Sequence, residues 1–168
     1  MIGRPKEGQA PRISIPQLRE MLDSDWPAEI YRSEVLSGRT RSFVFTGLAR
    51  PRVVEIVHTL LGIELRMGRR RVNVPDLATA RYLSIFAGLG VASVAVPYDI
   101  TRISHIADRL ERACQQLLQL VDDMTRTAAP GTARSVRRRV LRALRTELTE
   151  LAGGARDSRS EPPKLPKQ

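Results

Sequence analysis

Guanidinium groups are the chemistry this sequence concentrates. Arg69-Arg70-Arg71 and Arg137-Arg138-Arg139 are two triple runs. Each guanidinium carries a planar fork of donors, stays charged at any working pH, and matches the oxygen pairs of a phosphate or the edge of a guanine. Arg66 lies just ahead of the first run. Around the second, Arg134, Arg138, Arg142 and Arg145 are spaced by four, four and three, which on a helix puts them on one face. Residues 1–40 hold six basic and six acidic side chains, whereas residues 41–100 hold eight against four and residues 131–152 six against two. The positive excess is therefore packaged in two places, as a surface for a polyanion would be.

A third candidate is Pro97-Tyr98-Asp99-Ile100-Thr101-Arg102. Tyr98 could stack on a base and Arg102 hold a phosphate. The structural alternative, which weighs more, is that Asp99 or Thr101 caps a following helix.

Catalytic chemistry finds little footing. His58 and His105 have no short-range spacing to each other or to an acid or thiol, so they make no metal signature. Gly88-Leu89-Gly90 lacks the lysine and remaining glycines of a phosphate-binding loop. Glu64 and Asp76 flank the first basic run, but carboxylates at hairpin and helix ends are common and a magnesium site is not favoured. Cys114 is the only cysteine, which excludes an intrachain disulfide, and its helix-forming surroundings read as those of a buried inert thiol. No catalytic residue, metal or cofactor is assigned.

The composition sets the frame. The chain has 168 residues, 42% hydrophobic and only 4% aromatic, with a net charge of +10 and a pI near 11.0. That is one compact domain with appendages, whose core must rest on Leu, Ile, Val and Ala. Only Lys6, Lys164 and Lys167 are lysine. A genome-wide arginine bias would explain that preference but not the clustering. Residues 1–12 lack the apolar stretch of a signal peptide, and no run approaches a membrane span, so a soluble cytoplasmic protein is expected.

The elements that must position the arginines follow from periodicity. Residues 1–12 read as a flexible basic arm and residues 153–168 as a disordered tail. Gln17–Leu22 is a short helix with Pro16 in its first turn, and 28–36 is left open between strand and helical turn. Arg41–Phe45 is a strand ending at Gly47. Arg50–Leu61 reads as a helix, with Val53, Ile56, Val57, Leu60 and Leu61 on one face and Gly62 as its cap. Ile63, Leu65, Met67, Val72 and Val74 alternate with polar neighbours about a turn at Gly68-Arg69, which is a β-hairpin presenting Arg66, Arg69, Arg70 and Arg71. Asp76 caps a helix ended by Gly88 or Gly90, with Leu77, Ala80, Leu83, Ile85 and Phe86 on its buried side, and Val91–Val96 is a buried strand.

Residues 13–100 thus form an α/β or α+β core, a small sheet with packed helices, followed by two C-terminal helices over 101–127 and 131–152. In the first of these, Ile103, Ile106, Leu110, Ala113, Leu117, Leu120 and Met124 repeat as a heptad seam, which packs on its own sheet or, as the less favoured alternative, pairs two copies as a homodimer. In the second, Val136, Val140, Leu144, Leu148 and Leu151 oppose the arginine stripe. Thr132 is its expected cap and Gly153-Gly154 its stop. The apolar face lacks Trp and Phe, so a membrane surface is a weak fit. The expected function is non-enzymatic nucleic-acid binding, DNA ahead of RNA, through Arg66, Arg69, Arg70, Arg71, Arg134, Arg137, Arg138, Arg139, Arg142 and Arg145, with Tyr98 and Arg102 as lesser candidates. The alternative is a protein-interaction or self-associating module built on helices 103–124 and 132–152.

Overall fold

A computed structural model describes residues 12–157. The expected arm over residues 1–11 and the tail from residue 158 lie outside the described residues. The chain opens with α1 (Ile15–Leu22), whose first-turn donor at Gln17 is met by Ser14 Oγ at 3.3 Å and whose second residue is Pro16. A 3₁₀ turn at Asp23–Asp25 leads into α2 (Pro27–Ile30), which widens into a π turn over Tyr31–Leu36. The segment left open between strand and helix is therefore helical. β1 (Thr40–Val44), β2 (Glu55–Thr59), β3 (Gly62–Met67) and β4 (Arg70–Val74) follow, then α3 (Leu77–Leu89), β5 (Ser93–Pro97), α4 (Ile100–Met124) and α5 (Pro130–Asp157).

The fold is α+β, with two small antiparallel sheets in place of a single one: β1 pairs with β5, and β2-β3-β4 form a meander. The helix expected over Arg50–Leu61 does not form, and its second half is β2. Its apolar residues do recur at helical spacing, but Val53, Val54, Ile56, Val57 and Thr59 are β-branched and favour extended backbone. Val53, Leu60 and Leu61, which a helix would bury, stand in solvent. Leu60-Leu61 is the loop joining β2 to β3, closed by Thr59 Oγ1, which accepts from the Leu61 N–H (3.3 Å) and donates to the Gly62 carbonyl (3.1 Å). Gly62 is then the first residue of a strand, at φ +136°, and caps no helix.

The second hairpin forms where the alternation places it. Met67 faces Arg70 across a Gly68-Arg69 loop, and Gly68 takes the positive φ (+63°) that such a two-residue loop needs. Leu65, Met67 and Val74 turn inward onto α3. Asp76 caps α3 by accepting from the Thr79 N–H at 2.7 Å, and Gly90 ends it in the left-handed region. On α3 Ala80, Leu83 and Phe86 are buried and Ile85 half-buried as expected, while Leu77 is exposed.

One hydrophobic cluster runs from Ile13 to Leu148 and draws on every helix longer than a turn. The heptad seam of α4 belongs to it. Ile103, Ile106, Leu110, Ala113 and Leu117 are buried, Leu120 and Met124 are half-buried, and the helix packs against α3, α5 and α2. Pairing two copies through this seam would require displacing those helices. Arg81 of α3 adds a polar clamp, donating to Glu111 (2.7 and 3.2 Å) and Asp108 (2.5 Å) of α4. α5 begins at Pro130, so Thr132 sits inside the first turn, and it continues through Gly153-Gly154 to Asp157, so the expected stop and the first residues of the expected tail are helical. Val136, Val140, Leu144 and Leu148 are its buried stripe.

Candidate nucleic-acid interface

The arginines of α5 are positioned by that buried stripe. With Val136, Val140, Leu144 and Leu148 fixed in the core at steps of four, Arg134, Arg138 and Arg142 follow the same period and all three are exposed. Each step of four residues advances about 6 Å along a helix axis, so the stripe from Arg134 to Arg145 is roughly 16 Å long. Pro51, Arg134, Arg137, Arg138, Leu141, Arg142 and Arg145 line an open depression of about 490 Å³, apolar at Leu141 and Pro51 and basic elsewhere.

The triple run 137–139 fans around the helix. Arg137 reaches α4 and donates to both Asp122 carboxylate oxygens at 3.1 Å. Arg139 turns to the opposite side and donates to the Ile13 carbonyl. Arg138 points between them. Arg145, at the end of the stripe, donates from Nε to the Gly90 carbonyl (3.0 Å) and from Nη2 to the Ala49 carbonyl (2.6 Å). It thereby pins the 49–51 loop beside α5. Among the described residues Arg134, Arg138 and Arg142 have no acidic partner, so their charge faces solvent uncompensated. Glu147 of the same helix is committed elsewhere, accepting two bonds from Arg19 (2.7 and 2.6 Å) and one from Trp26 Nε1 (3.0 Å).

The hairpin separates its arginines by the strand period. Arg69 is in the loop and exposed. Arg71 sits opposite Arg66 on the outer face, and Glu55 of β2 is opposite Arg66 on its other side. Glu64 approaches Arg66 Nε at 3.5 Å on the same face. Arg70 shares the inner face with Met67 and Val72, folds back and donates to the Thr46 carbonyl. The projecting tip therefore offers Arg69 and Arg71 beside two carboxylates, a mixed surface less basic than the run of letters implies.

The stretch after β5 takes its structural reading. Asp99 caps α4 by accepting from the Thr101 N–H at 2.9 Å. Arg102 donates to the Glu34 carbonyl. Tyr98 is exposed, with the Arg39 guanidinium 5.7 Å from its ring centroid. His58 and His105 are exposed on β2 and α4, and the described residues contain no group of three His, Cys, Asp or Glu side chains able to hold a metal. Sequence reasoning missed Pro51 as a wall of the α5 depression. Its only signal was the proline itself, which also suits a helix start.

No protein-family model, curated protein or solved structure matches this chain.

Proposed function

We propose that this protein binds nucleic acid without modifying it, holding the phosphate backbone along the α5 stripe. The observation that carries the reading is the row Arg134, Arg138 and Arg142, exposed at regular spacing with no acidic partner among the described residues. Arg145 and Arg137 border the row while anchoring the loop and α4, so the row rests on a rigid support. Rigidity matters because each counterion released from a phosphate adds affinity only if the arginine is held in reach.

A duplex is the favoured ligand. The depression contains no aromatic side chain on which an unpaired base could stack, and stacking is what single-strand binders use. DNA stands ahead of RNA, because α5 buries one face in the body and presents a straight row suited to the rim of an open groove. Little base readout is expected from backbone contacts. A cytoplasmic protein would meet such polyanions directly. Arg69 and Arg71 contribute as a secondary contact, weakened by Glu55 and Glu64.

Fluorescence anisotropy at low salt tests this with a labelled duplex and a single strand of the same length. Joint replacement Arg134→Ala, Arg138→Ala and Arg142→Ala should weaken duplex binding by about tenfold or more, and Arg69→Ala with Arg71→Ala by less. Undiminished duplex binding by the α5 variant would overturn the assignment.

A further inference from the structure

The two-stranded sheet has one edge closed by side chains and one edge open. On β5, the Ala95 N–H donates to Tyr31 Oη at 2.9 Å and the Ala95 carbonyl accepts from Tyr82 Oη at 2.7 Å. Both groups therefore point away from β1, which makes Ser42 and Ala95 a non-hydrogen-bonded pair of the ladder. Pairs alternate, so Val44 opposite Ser93 is of the same kind. The bond from the Phe45 N–H to the Ala92 carbonyl (2.8 Å) continues that alternation. The N–H and C=O groups of Ser42 and Val44 consequently point outward from β1, where no described residue bonds to them. Ser42 is exposed and Val44 is 50% exposed.

We propose that this edge is the seam of a homodimer in which β1 of one copy pairs antiparallel with β1 of a second about a two-fold axis at Phe43. In that register Ser42 lies opposite Val44 of the second copy, and the same pair recurs on the other side of the axis. All four outward groups of each strand are then bonded. A slip by one residue would instead present Arg41 and Phe43, whose backbone groups are already turned to β5. Phe43 meets its own counterpart in the closer, non-hydrogen-bonded kind of pair, where side chains touch. Arg41 falls opposite Phe45 of the second copy, so its charge faces a ring and not the second Arg41. β1 carries no proline or bulge, two devices that commonly blunt an open edge.

A second copy fits better than an unrelated strand because the edge is self-complementary in register, in its aromatic centre and in the placing of its one charge. The +10 charge on each copy opposes association. Salt should therefore strengthen the dimer, the reverse of its effect on nucleic-acid binding.

Sedimentation equilibrium of the full chain over a wide concentration range, at low and moderate salt, tests the proposal. Amide hydrogen exchange at Ser42 and Val44 is followed alongside. A reversible monomer–dimer equilibrium is expected, shifted to dimer by salt, with both amides gaining protection as concentration rises. Ser42→Pro removes an outward N–H and no bond to β5, so it should shift the chain to monomer with an unchanged far-UV circular dichroism spectrum. A native chain monomeric throughout, or a dimer whose Ser42 and Val44 amides exchange as in the monomer, would overturn the proposal. Undiminished dimerisation by a folded Ser42→Pro chain would do the same. If that variant does not fold, amide exchange in the native chain decides.

Discussion

Adjacent arginines in this chain have different obligations, and backbone geometry assigns them. A strand alternates its side chains between faces, so Arg70 and Arg71 part company, one bonded to the Thr46 carbonyl and one in solvent. A helix turns about 100° per residue, so Arg137, Arg138 and Arg139 diverge to α4, solvent and the Ile13 carbonyl. The spacing of the α5 row was legible in the sequence, because four-residue steps survive any choice of helix boundary. Which arginines are tied was not legible, since Asp122, Gly90, Ala49 and Ile13 lie far away along the chain. Two predictions belong here. Burial, with the Glu111 charge adding to it, pushes the Cys114 thiol up to about 12. Cys114 should therefore react with a disulfide reagent at pH 8 far more slowly in the folded chain than in urea, and equal rates would contradict its burial. The Arg81 guanidinium holds the Asp108 carboxyl below its usual range. A depressed carboxyl stabilises the fold above the unfolded pKa, about 3.9, and loses that contribution as pH falls through the lower folded value. The difference in melting temperature between the native chain and Arg81→Met should thus narrow as the pH is lowered below about 4.

At the scale of elements, local signals succeeded where two of them agreed. The β3–β4 hairpin had alternation on both arms and a glycine at the loop, and α3 had Asp76 at its start and Gly90 at its end. The segment over 50–61 carried conflicting signals, helical spacing of apolar residues against β-branched composition. Pairing with β3, which a single segment cannot reveal, decided for strand. That correction matters to the interface, since an extended 49–54 segment can lie against α5 as a helix there would not. Gly90 holds the junction. It sits at φ +82°, and a Cβ there would fall 2.6 Å from the Pro51 nitrogen and 2.7 Å from the Arg50 carbonyl carbon. Gly90→Ala should destabilise the chain by about 1–3 kcal/mol, through left-handed strain and displacement of the loop. Urea denaturation measures this, and an unchanged midpoint would show that the loop does not bear on Gly90.

Across the whole molecule, the expected α+β class was readable from the succession of elements, and the split into two sheets was not. β1 and β5 are separated by the entire meander and α3, a long-range pairing that no local pattern encodes. The meander and β5 pack with α3, α4 and α5 around one hydrophobic cluster, which leaves the outer side of α5 as the place where basic charge accumulates on a rigid surface. The most direct test is the dependence of duplex DNA affinity on salt. A plot of log K against log salt should be linear for the native chain. Its slope should shrink by about 2.7 when Arg134, Arg138 and Arg142 are all replaced by alanine, roughly 0.9 for each phosphate no longer neutralised. The same slope in both proteins would contradict the assignment of α5 as the backbone-binding surface.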